Sequence, residues 1–234
     1  MARLHTVTRW LAAGLGLAAG AYATYVGVTW ARYGRVREPA DPSERDALLD
    51  RFMPRYDIVE RHRIAVAAPA RVTVAAAREM NVRQSALARA IFLARERLLG
   101  AGRDERRLPT GLLDQVLSLG WRVLAEEPDR EIVVGAVTKP WEAEVTFRGL
   151  SPEAFDAFNE PDFVKIVWTL RADAIDDSHS IFRTETRAVA TDAGAATKFR
   201  RYWAFLSPGI CLIRQATLGP LKAEAERRAR LERA

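Results

Sequence analysis

DFVKIVWTLRADAIDDSHSIFRTETRAVAT, residues 162–191, holds two runs of alternating apolar and polar side chains, Asp162–Ala172 and Ser180–Thr191. The turn Ile175-Asp176-Asp177-Ser178-His179 lies between them. Period-two alternation in segments rich in Val, Ile, Thr, Phe and Trp predicts two half-buried strands joined as an antiparallel hairpin. Strand parity then fixes which residues travel together. Val164, Ile166, Trp168 and Leu170 share a side opposite Lys165 and Arg171. Phe182, Thr184 and Thr186 face away from Arg183, Glu185 and Arg187.

Upstream, Trp121–Glu127, Arg130–Thr138 and Ala143–Leu150 read as three further strands separated by turn residues, with Val145 and Phe147 opposite Glu144 and Arg148. Tyr56–Val66 reads as the first strand. Pro69 opens a helix to about Met80, because a proline in the first turn lacks only an N–H that has no helical partner anyway. Ser85 caps a second helix to Leu99, and Thr110 a third to Leu119. Downstream, Ala193–Ala234 is mostly helical, with breaks expected at Ser207-Pro208-Gly209 and Gly219-Pro220. Consecutive strands with short turns and segregated helices define an α+β chain with an antiparallel sheet.

Three features of this layout resemble the helix-grip fold of the START and SRPBCC superfamily, which includes polyketide cyclase-like proteins and relatives of the birch-pollen allergen. They are the first strand with its Pro69-led helix, Ser180–Arg187 in the last strand, and Phe199-Arg200-Arg201-Tyr202-Trp203 on the closing helix. The resemblance runs from Tyr56 to about Glu226. It implies a curved antiparallel sheet wrapped around a long C-terminal helix, with an apolar cavity between them. The apolar N-terminus and the helical stretch at about 85–119 depart from a minimal member.

Between Trp10 and Trp30 no residue is charged. Twenty-one helical residues rise about 30 Å, the thickness of a bilayer's hydrocarbon core. Tryptophans stand at both ends of the run, and Arg9 and Arg32 bracket it. The expectation is a single-pass membrane anchor in residues 1–37, a linker or arm in 38–55, and the folded domain in 56–234. A cleavable leader ending near Ala21-Tyr22-Ala23, or a soluble packing helix, is also open. Basic residues on the two flanks nearly balance, so the side on which the domain lies is unresolved.

The chain carries 36 Lys and Arg against 30 Asp and Glu. Five arginines against Glu38 in the first 38 residues leave 31 basic and 29 acidic groups for the rest. A domain so nearly balanced lacks the clustered charge that displaces counterions from phosphates, so no nucleic-acid partner is expected. Cys211 is the lone cysteine, which excludes an intrachain disulfide, and free cysteine usually packs as a small apolar side chain. No nucleophile elbow, zinc-protease motif or phosphate-binding glycine loop occurs, so no catalytic residue, metal or cofactor is assigned.

The expected ligand-lining set is Val145, Phe147, Ile166, Trp168, Phe182, Thr184 and Thr186, with Glu60 and His62 on the inward parity of the first strand. Such a wall either encloses a lipid, a polyketide or another apolar molecule, or makes a filled core, since any half-buried sheet alternates in this way. Glu60 and His62 are either polar anchors or solvated groups at a sheet edge. Three functions stay open: a membrane-tethered binding or transfer module for an apolar ligand, a cyclase- or hydrolase-like enzyme using the same cavity, and a protein-interaction domain without one.

Overall fold

The hairpin of residues 164–190 is the centre of a six-stranded antiparallel sheet. A computed structural model describes residues 2–36, 39, 41–81 and 109–233, with residues 2–12 and Leu15 described by backbone alone. The strands are β1 (Ile58–Val66), β2 (Arg122–Glu127), β3 (Glu131–Thr138), β4 (Phe147–Arg148), β5 (Val164–Asp176) and β6 (His179–Ala190). Their order is β1-β6-β5-β3-β2, with β4 beside β3. The helices are α1 (Ala2–Arg32), α2 (Ala47–Phe52), α3 (Ala70–Glu79), α4 (Leu112–Ser118), α5 (Pro152–Ala157) and α6 (Ala193–Arg233).

Residues paired directly across an antiparallel sheet share a face, so the register assigns both surfaces. Glu60 pairs with Thr186, Thr186 with Trp168, and Trp168 with Val134. His62 pairs with Thr184, and Ile64 with Phe182. This inner face is covered by α6 and α3. At one end Val72, Ala76 and Leu221 pack on Phe182, Trp168 and Val134; at the other, Phe199 and Trp203 pack on Ile58, Val164 and Ala188. The inward parity expected for β1, β5 and β6 is the one observed.

The outer face is covered as well. Asp46 caps α2 by accepting a 2.8 Å hydrogen bond from the Leu49 amide. Leu49, Phe52 and Met53 then pack with Phe155 of α5 against Val133, Val137 and Val167. The charged residues of this face do not point freely into water. Arg61 grips Glu185 through two nitrogens at 2.9 and 3.2 Å, Arg183 and Arg171 both hold Asp173, and Arg63 pairs with Glu44. An ion-paired layer thus fastens residues 44–53 to the sheet.

Two strand and helix expectations change. The strand expected over 143–150 shrinks to Phe147–Arg148, because β2 occupies the flank of β3 as far as Gly135 and leaves only its last three residues, of which Val137 and Thr138 pair. Val145 therefore lies in the connection and not on a strand. The breaks expected at Pro208 and Pro220 do not occur: α6 is one helix of 41 residues containing both prolines. Each proline deletes a single backbone bond, while buried Ser207 and Leu221 beside them keep the helix seated. Of the helical insert expected at about 85–119, residues 82–108 lie outside the described residues.

Gly120, in the turn between α4 and β2, has φ of +102°. A β-carbon there would stand 2.2 Å from the Phe147 carbonyl oxygen. Gly120→Ala combines a left-handed backbone with a backbone clash, so it should cost more than about 1 kcal/mol. The loss would be read as a lower urea midpoint at unchanged slope.

Helix α1 lies along α6. The Tyr22 hydroxyl donates to the Phe205 carbonyl at 2.7 Å, Tyr25 bonds Ser207 at 3.1 Å, and Arg200 both stacks on the Trp30 ring and donates to its carbonyl. Leu17, Tyr22, Tyr25, Val28 and Trp30 of α1, with Phe205 and Leu212 of α6, remain exposed. Among the described residues no helix is long and apolar enough to cross a membrane. This departs from the span expected at 10–30, part of which (10–12 and 15) has no described side chains. Ten of those twenty-one residues are alanine or glycine, which add length but little apolar surface.

Candidate functional site

Between the two apolar ends of the inner face lies a polar cluster. β1 contributes Glu60 and His62, β6 contributes Thr184 and Thr186, and β5 contributes Trp168, all held in one patch by the register. Helix α6 closes it with Ser207, Cys211 and Arg214. The spacing of these three, four residues and then three, puts them on one helical face.

Arg214 is the centre of the cluster. The residue is half-buried. Its Nη1 donates to Thr184 Oγ1 at 3.2 Å, and the group lies 5.8 Å from the Trp168 ring centroid. Burial pulls its pKa down to about 10, opposed by the charge of Glu60. No carboxylate lies within salt-bridge distance of it among the described residues, whereas the outer-face arginines 61, 171, 183 and 187 all have one.

The neighbours are shaped by the same desolvation. Burial raises the pKa of Glu60, against a hydrogen bond from Cys211 and the Arg214 charge. Burial lowers that of His62, helped by Arg214. Burial and the nearby Glu60 push the Cys211 thiol up to about 12, so at neutral pH it is a protonated donor and not a nucleophile. His62 Nε2 lies 3.9 Å from Glu60 Oε2, too far for a hydrogen bond. His62 Nε2 and Thr186 Oγ1 are both buried and have no hydrogen-bond partner. Buried polar atoms are ordinarily paired, and leaving one unpaired costs about 1–3 kcal/mol.

Of the expected lining set, Glu60, His62, Trp168, Thr184 and Thr186 come together here. Ile166 sits one register step away, packed with the group around Phe199 and Trp203. Phe182 is filled core against α3. Phe147 reaches the patch only through aromatic contacts, to Trp121 at 5.0 Å and from there to Trp168 at 6.4 Å. Val145 does not reach it. Sequence reasoning missed Arg214, Cys211, Ser207 and Tyr25. A signal existed for the first: Arg214 is the single charged residue between Arg201 and Lys222.

Two clefts open at the surface. One of about 300 Å³ is lined mainly by outer-face charges, Arg61, Arg63, Arg171 and Arg183 with Glu44 and Glu185, and is bordered by His62 and Thr184 of the cluster. A larger one, about 690 Å³, lies between the end of α3 and the C-terminal part of α6.

No family model matches the chain, and no curated protein matches it. Among solved structures it is similar to the hypothetical protein jhp0584 from Helicobacter pylori, at 9% identity and a TM-score of 0.39, over 81% of this chain and 99% of that one. It is also similar to the Zhui aromatase/cyclase from Streptomyces sp. R1128, at 18% identity and a TM-score of 0.29, over 73% of this chain and 94% of that one.

Proposed function

We propose that the chain is a helix-grip domain of START/SRPBCC type that binds a small apolar molecule between the inner sheet face and α6. One observation carries this reading: two buried polar atoms, His62 Nε2 and Thr186 Oγ1, lie unpaired beneath the closing helix where such a ligand would sit. A filled structural core has no use for unpaired polar atoms, and a ligand supplies what they lack. The long Glu60–His62 separation and the protonated Cys211 favour binding over acid–base or nucleophilic catalysis. The membrane side of the reading rests on the exposed apolar strip of α1 and α6, which suits contact with a lipid surface, the reservoir of apolar ligands.

Native mass spectrometry of the full-length chain with solvent extraction of the bound material tests the reading. The expected result is one apolar molecule per chain. A folded, monodisperse protein that stays empty after incubation with phospholipid vesicles would refute it. Co-flotation of the chain with the same vesicles is expected in parallel, and its absence would remove the membrane half of the reading.

A further inference from the structure

We propose that the ligand is an apolar carboxylic acid whose carboxylate seats on the Arg214 guanidinium. This deepens the binding function proposed above and rests on it. The groups that converge on the patch are complementary to an oxyanion. Arg214 offers donors and a positive charge, with one neutral hydrogen bond, to Thr184. Thr186 Oγ1 offers an unpaired hydroxyl, and a neutral His62 can present Nε2–H. A half-buried guanidinium with no counter-ion among the described residues is costly, and part of the cost is recovered when a carboxylate enters and is gripped by charge-assisted bonds.

Glu60 does not fill that role. Its carboxylate lies 3.9 Å from His62 Nε2 and makes no ion pair with Arg214 among the described residues. Its charge helps keep Arg214 protonated. Beyond the guanidinium the surface is apolar. Trp168 stands beneath it, Ile166 and Trp203 follow along the sheet, and Ile210 covers them from α6. That is the succession an acid with a hydrocarbon body requires. Tyr25 of α1 bonds Ser207 of α6 and is itself part of the exposed strip of the two helices, so the patch lies next to the surface that faces a lipid reservoir.

Palmitic acid and hexadecanol share a sixteen-carbon chain and differ at the head, so they separate the two proposals. Binding of each to the full-length chain is measured by tryptophan fluorescence and by carbon-13 NMR of carboxyl-labelled palmitate. The acid is expected to bind at least about ten-fold tighter than the alcohol, the scale of a charge-assisted hydrogen bond. Its bound carboxyl signal should stay that of the anion to lower pH than in vesicles. In Arg214→Met, of similar length and no charge, the preference should vanish while the alcohol binds as before. Thr186→Val is expected to weaken the acid several-fold and gives a second reading should Arg214→Met fail to fold. Equal binding of acid and alcohol by the unaltered chain would overturn the carboxylate assignment and leave apolar-ligand binding standing. Binding of neither would overturn both.

Discussion

Arg187→Ala is expected to destabilise the domain by about 3 kcal/mol, the lower end of the range for breaking a buried ion pair. Its side chain is 3% exposed. It donates to Glu185 at 2.7 Å, to Asp50 at 2.5 Å and to the Met53 carbonyl at 2.8 Å, and stacks 4.6 Å from the Tyr56 ring centroid. Alanine would strand the Met53 carbonyl and open space under α2. Glu185 would keep its two-nitrogen contact with Arg61, which is why the upper end of the range is not expected. Arg187→Met restores the volume and should lose less. Urea unfolding reads the total, and hydrogen exchange should locate the loosening in residues 46–53. A loss below about 1 kcal/mol, the scale of a surface pair, would mean that the arm is held by Leu49, Phe52 and Met53 alone.

Stability is expected to fall as pH rises from about 5 to 8, and Glu131→Gln should flatten that fall. Glu131 is 2% exposed and accepts a 2.9 Å bond from Thr169. Burial first, and then the neighbouring carboxyl of Asp46, push its pKa up from near 4.5 to about 8. Between those values the folded chain keeps a proton that the unfolded chain has released. The unfolded state then binds fewer protons, and stability drops with pH by up to about 1.4 kcal/mol per unit. Below about 4.5 both states are protonated and the slope from this group disappears. Glutamine keeps the hydrogen-bonding amide without the titration. Denaturation midpoints at pH 5 and pH 8 for the two proteins provide the comparison; parallel curves would show that Glu131 is ionised throughout.

The sequence was most legible where one physical period dominates. Alternation in 164–190 gave the hairpin and its facing residues, and the shared parity of Glu60 and His62 with Ile58, Ile64 and Val66 gave their inward side, because parity needs only a strand. It could not give the length of β4, which is limited by how much of β3 its neighbour β2 leaves unpaired. Nor could it give the continuity of α6 through Pro208 and Pro220, since tertiary packing decides whether a helix survives a lost bond. The outer-face charges were readable as a set, but their burial was not, because the segment that covers them, 44–53, read as part of a linker or arm with no indication of where it docks. At the site, the strand half was visible and the helix half was not. Parity marks which residues share a strand face, whereas the part of a 41-residue helix that crosses the sheet centre depends on the whole fold. Arg214 alone in an apolar stretch was the available clue, since an isolated charge in such surroundings needs a reason to be there.

The register between β1 and β6 has a consequence for biosynthesis. Ile58 pairs with Ala188 and Val66 with Ser180, and α1 rests on a helix that begins only at Ala193. The first sixty residues therefore leave the ribosome long before anything they pack against has been made. At about 5–20 residues per second, α1 and its exposed aromatic strip wait on the order of ten seconds or more for a partner. The central hairpin can close locally through its short turn, whereas the N-terminal edge strand and arm must close a loop of more than a hundred residues to dock. Through that interval the nascent chain presents a helix whose apolar strip has no partner within the chain made so far.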